Sequence, residues 1–144
     1  MHHKEFLSKI DHDKVVAAIA EAEKDTSGEI RVWISRREVS VALDAAQKRF
    51  SKLGMHKSAE RNAVLVYIAP RSRVFAVVGD KAVHEKCGDE FWEEVTAQLS
   101  GDLKKGDVTE ALIHAIRKTG ALLAAHFPRK PGDKNQLPDD ILHD

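Results

Sequence analysis

Residues 63–69 read AVLVYIA and residues 74–79 read VFAVVG, with only Pro70-Arg71-Ser72-Arg73 between them. Apolar residues at successive positions, rather than at every second one, are the mark of strands buried on both faces. The short link makes the pair a hairpin. Such a hairpin needs covering layers on both sides, and the rest of the chain supplies them.

Ahead of the hairpin, residues 11–24 place Val15, Ile19 and Ala22 on one helical stripe, with Asp11 as N-cap. Phe6, Leu7 and Ile10 add an apolar turn before it. Residues 29–36 then alternate, with Ile30, Val32 and Ile34 on one face and Arg31, Trp33 and Ser35 on the other, which predicts a strand. A helix over residues 41–53 carries the stripe Leu43, Ala46, Phe50 and Leu53 and stops at Gly54.

After the hairpin, residues 81–86 read as short and irregular or helical. They lead to a helix capped by Asp89 with the stripe Trp92, Val95 and Leu99. Asp107-Val108-Thr109-Glu110 has capping-box form and opens a last helix, whose stripe runs Val108, Leu112, Ile116, Gly120, Leu123, Phe127. Pro128 stops it. Residues 128–144, with three prolines and several charges, are expected to lack regular structure, although Leu137, Ile141 and Leu142 offer anchors.

A strand–helix–strand unit closes as a right-handed crossover, so the first two strands run parallel and the third returns antiparallel. The expectation is an α/β fold: one domain over residues 6–127, a small mixed sheet with helices on both faces, and an irregular tail. The chain of 144 residues is long enough to bury roughly 70% of its unfolded surface without help from a disulfide or structural metal. Cys87 is the single cysteine, which rules out an internal disulfide and a thiolate cluster for zinc.

Charge narrows the function classes. The 23 basic and 23 acidic residues cancel, so nothing in the total draws the chain to nucleic acid or to an anionic membrane. No stretch approaches the ~20 apolar residues of a membrane span, and residues 1–10 lack the apolar core of a secretory signal. For a complete chain, the cytoplasm is the expected location.

Several phrases resemble one family. Thr26-Ser27-Gly28-Glu29-Ile30, Leu53-Gly54-Met55 and residues 61–67 (RNAVLVY) occur in order, followed by Val78-Gly79-Asp80-Lys81, His84-Glu85-Lys86 and Asp89-Glu90-Phe91-Trp92. Residues 133–141 (DKNQLPDDI) complete the set. Together they resemble short, free-standing TPM domains across nearly the whole chain. The resemblance implies a three-layer α/β/α sandwich around a mixed sheet. It implies no single activity: members of the family are associated with acid phosphatase activity, with receptor modulation or with calcium binding. Ala82 stands where close relatives are expected to carry glycine, which questions the shape of that loop, and Gln136 removes a carboxylate from the tail.

The topology itself gathers candidate ligands. Two strand starts and one strand end meet at one edge, bringing Asp25, Glu29, Asn62 and Asp80 together, with Glu85 and Asp89 close behind. Carboxylates with an amide oxygen suit calcium, a hard cation that takes six to eight oxygens, and Glu29, Asp80 and Asp89 are the leading members. The competing structural reading makes Asp89 a helix cap and Asp80 a turn residue, and pairs Glu29 with Arg61.

The opposite edge should collect Arg36, Arg37, Arg71 and Arg73 as a patch for an anion or for a partner's acidic surface, or simply as a solvated rim. A cysteine-phosphatase loop is absent, since Glu93 stands six residues after Cys87 where an arginine is needed. Residues 11–15 (DHDKV) open an amphipathic helix and do not close a buried strand, so they make a poor aspartate nucleophile. The sequence therefore points first to a small binding or interaction module, with calcium as its candidate cofactor. A metal-dependent phosphatase-like hydrolase and an accessory subunit that docks on a protein partner are the alternatives.

Overall fold

The computed structural model describes residues 8–129 and 141–143. Helix α1 (His12–Glu23) starts where Asp11 accepts a hydrogen bond from Lys14 N at 3.2 Å. Strand β1 (Glu29–Ile34) is buried at all six residues. Helix α2 (Ala42–Lys52) ends at Gly54, whose φ of 71° is the left-handed conformation that glycine adopts without strain. Strands β2 (Ala63–Ala69) and β3 (Val74–Gly79) form the hairpin, turned by a 3-10 segment over Pro70–Ser72.

Two helices follow. Helix α3 spans Lys81–Lys104, and α4 spans Val108–His126 with Asp107 accepting from Glu110 N at 3.2 Å. The expected short segment and the helix after it are two helical stretches that meet at Gly88, where φ of 71° and ψ of 173° are not helical. The first stretch is capped by Asp80, whose carboxylate accepts from Lys81 N at 2.7 Å, because the chain turns into helix directly off the end of β3. Ala82 therefore lies inside helix and carries no positive φ.

The sheet has the order β3-β2-β1-β4. β1 and β2 run parallel in the register Glu29↔Ala63 to Ile34↔Ile68, and β3 returns antiparallel to β2, as the crossover argument requires. The fourth strand was not expected. Residues 141–143 form β4, parallel to β1, pairing Val32 with Ile141 and Trp33 with Leu142. The tail is thus not irregular throughout. An unpaired β1 edge recruits the apolar Ile141-Leu142 step, the anchor seen in the sequence. Leu137 and Gln136 lie outside the described residues.

Helices cover both faces of this α/β sheet. Ile30, Val32 and Ile34 face α1, α3 and α4 through Val15, Ile19, Leu99, Leu112 and Ile116. Trp33, Leu65 and Tyr67 face the opposite layer, where α2 contributes Ala46 and Phe50. Leu43 does not belong to that buried stripe: it is 50% exposed, because the packed face of α2 runs through Ala42, Ala45, Ala46 and Phe50. Two glycines mark close approaches: a Cβ at Gly120 would meet Ala22 Cβ at 2.6 Å between α4 and α1, and one at Gly28 would meet Leu123 Cδ1 at 2.9 Å. Among the described residues, no helix is long and apolar enough to cross a membrane.

Candidate functional site

The amino edge of the parallel strands holds part of the predicted ligand set, and hydrogen bonds bind Asp80 and Asn62 into the fold. Asp80 is buried, and its carboxylate takes Arg61 Nε and Nη2 at 2.8 Å each and Lys81 N at 2.7 Å. Burial pushes this carboxyl up, but the Arg61 and Lys81 hydrogen bonds and the charges of Arg61 and His56 more than offset it. The result lies below the ordinary value. Arg61 thus pairs with Asp80 and not with Glu29, and it does so from a left-handed backbone with φ 54°.

Glu29 is buried as the first residue of β1 and shares a sheet face with Arg31 two positions on. Burial lowers the Arg31 pKa, and the charge of Glu29 works in the other direction. Asn62 is buried and uses its amide as a double donor, to Ser27 Oγ at 3.1 Å and Glu60 Oε2 at 3.0 Å, while Ser27 Oγ also donates to Glu60. Asp25, Glu85 and Asp89 stay exposed, with Glu85 3.9 Å from Lys81 and the Asp25 carbonyl accepting from Arg129 N at 3.1 Å.

The structure therefore gathers Glu29, Asn62 and Asp80 at one buried edge and leaves the other three predicted ligands outside it. Among the described residues, no three His, Cys, Asp or Glu side chains are arranged to hold a metal ion. With both Asp80 oxygens held by Arg61, a cation at this edge would compete with that pair.

The sequence reading missed Glu23, which is only 1% exposed and accepts from Ile30 N at 2.8 Å through Oε2. Its signal was legible, because Glu23 lies four residues after Ile19 on the buried stripe of α1, where an acid needs a built-in donor. Glu60 and Ser27 gave no such signal.

The carboxyl edge differs in kind. Ser35 N donates to Ile68 O at 2.8 Å and Val39 N to Ser72 Oγ at 2.7 Å, lacing the β1–α2 loop to the end of β2 and to the β2–β3 turn. Arg36, Arg37, Arg71 and Arg73 are all exposed there, as the topology predicted. They do not form one patch. Arg71 sits 3.4 Å from Glu38, Arg37 lines a cleft on the α2 side of the sheet, and Arg73 lines a cavity on the α3–α4 side.

The α2-side cleft has a volume of about 360 Å³. Arg37, Lys48, Arg49 and Lys52 line it together with the hydroxyls of Ser35, Ser40 and Tyr67, against the acids Glu38 and Asp44. The Arg49 guanidinium is fixed 4.0 Å above the Trp33 ring, a cation–π contact that keeps a flexible side chain at the cleft wall. Lys48 and Lys52 are one helical turn apart on the exposed side of α2, so the sequence contained this face without marking it as a site.

A family model described as TPM domain matches residues 1–122. The chain belongs to the TPM domain family. No protein of curated function was found to match this TPM domain. Among solved structures, it is similar to the NMR structure of BA42 protein from the psychrophilic bacterium Bizionia argentinensis, with 34% identity and a TM-score of 0.86, covering 92% of each chain. It is also similar in fold to the N-terminal domain of cg2496 protein from Corynebacterium glutamicum, with 15% identity and a TM-score of 0.60, over 77% of this chain and 70% of that one.

Neither comparison assigns chemistry to the TPM domain's own residues. Cys87 makes a poor nucleophile, since burial raises its thiol pKa against the weaker pull of Lys86.

Proposed function

We propose that this TPM domain is a binding module whose ligand is a small phosphate-bearing anion, held in the α2-side cleft. One observation carries the reading: four cationic and two acidic side chains line that concavity, an excess of two positive charges, with three hydroxyl donors between them. A dianion with several acceptor oxygens complements such a lining, and the guanidinium fork suits phosphate geometry. The position agrees with the general rule that open α/β sheets bind ligands at the carboxyl ends of parallel strands.

Titration of the protein with pyrophosphate, followed by backbone amide shifts, tests this. Shifts should converge on Ser35 to Ser40 and on α2, and affinity should fall as salt rises. The double variant Arg37→Gln/Lys48→Gln should weaken binding at least tenfold with an unchanged melting temperature. Shifts scattered over the surface, or equal binding by the variant, would remove the proposal.

Release of phosphate from a generic phosphomonoester, abolished by chelator, would turn the module into the metal-dependent hydrolase that the sequence offered as an alternative. Calcium at the amino edge is a separate expectation, since the cation would have to displace Arg61 from Asp80. Thermal melts in chelator, calcium and magnesium read it directly, and a calcium-specific rise of several degrees is the result it requires.

A further inference from the structure

Behind the β2–β3 turn, on the α3–α4 side of the sheet, lies a second concavity of about 660 Å³, within the ~300–1,000 Å³ range of small-molecule sites. Its wall is apolar, formed by Ile68 and Phe75 from the hairpin and by Leu103 and Val108 from the α3–α4 junction. Two cations line it, Arg73 and Lys104, and no acidic side chain does. Among the described residues neither cation has an ion-pair partner. Phe75 and Leu103 are only half-buried, so an apolar occupant would remove further surface from water.

Arg73 adds a second observation. It sits in the left-handed backbone region with φ 55°, its N–H bonded to Pro70 O at 3.1 Å. A residue with a side chain is disfavoured there relative to glycine, and strain kept at the mouth of a concavity is a mark of functional sites. The α2-side cleft differs in chemistry, being lined by hydroxyls and by charges of both signs.

We infer that this cavity binds a free, monomeric aliphatic carboxylate. Its head group meets Arg73 and Lys104, and its chain lies along Ile68, Phe75, Leu103 and Val108. The inference stands independently of the phosphate cleft, because no residue is common to the two linings.

Calorimetric titration of the full chain with hexanoate, octanoate and decanoate, each below its micelle concentration, tests it. Affinity should rise about fourfold per added methylene, roughly fifteenfold for each two-carbon step, until the cavity is full. The double variant Arg73→Gln/Lys104→Gln should lose at least tenfold in decanoate affinity, keep the wild-type melting temperature and leave the weaker binding of decanol unchanged. No binding at millimolar decanoate would overturn the inference, as would affinity independent of chain length. Decanol binding as tightly as decanoate would overturn the head-group assignment, leaving an apolar cavity alone. Association only with vesicles of anionic phospholipid would replace the free ligand with a membrane surface.

Discussion

The two ends of the parallel strands both carry polar and charged residues and use them in opposite ways. At the amino edge, Glu23, Asn62 and Asp80 are buried, and each meets donors or acceptors at 2.7–3.1 Å. At the carboxyl edge, Arg36, Arg37, Arg71 and Arg73 stand in solvent, and Arg37 and Arg73 each line a concavity. Charge placed inside must be satisfied by the fold itself and becomes part of its stability. Charge left outside contributes little to stability and stays available to a ligand. A cluster of acids in sequence is therefore a weaker pointer to a site than a cluster of bases around an open cleft.

This contrast can be broken most directly at Glu23. Glu23→Ala leaves Ile30 N–H without its acceptor inside the protein and should cost about 3 kcal/mol in urea unfolding, on the order of 10 °C in melting temperature. A loss within about 0.5 kcal/mol would mean that the amino edge is not the stabilising one. Asp80→Ala comes next, at about 1–2 kcal/mol for the lost N-cap of α3, whereas Asp80→Asn keeps much of the cap.

A smaller effect separates the Asp80 charge from its capping role. The folded carboxyl titrates below the unfolded value of ~3.9, so its contribution is complete above that pH and is lost as pH falls from about 4 through the folded value. Wild-type melting temperatures should fall more steeply than those of Asp80→Asn in that window, and parallel curves would contradict the pairing with Arg61. Smallest of all, Arg71→Gln at the carboxyl edge should change stability by less than about 0.5 kcal/mol, because its pair with Glu38 is solvent-exposed. A larger loss, measured by the same denaturant titration, would place that edge among the structural ones.

The apolar pattern was most informative where it runs unbroken, although only β2 is buried at every residue and β3, at the sheet edge, leaves Val74, Phe75 and Val77 half-buried. The residues of β2 and β3 could be read to their ends because every position is apolar, and α4 because its cap and stripe agree. What escaped depended on long-range pairing. β4 is three residues long and owes its strand conformation to β1, so no local pattern announces it. Residues 81–86 read as short and irregular or helical, so the Asp80 cap at their start went unmarked and only Asp89, beyond the non-helical Gly88, was named as a cap.

The topology argument brought Asp80 and Asn62 to one edge but was blind to side-chain partners. Nothing in the spacing of residues 61 and 80 tells that Arg61 reaches Asp80 before any cation does. The α2-side cleft escaped for the converse reason: Lys48 and Lys52 look like any solvated helix face until the β1–α2 loop folds Arg37 against them.

β1 owes its interior position to residues far along the chain. The family match ends at residue 122, while the strand that completes the β1 ladder lies at 141–143. A shortened protein ending at residue 122 would keep α1 to α3 and most of α4, but would leave Val32 to Ile34 with an open row of peptide groups. Such a row is a template for a second copy of the same chain, so the smallest piece that stays monodisperse extends past the span that kinship alone delimits.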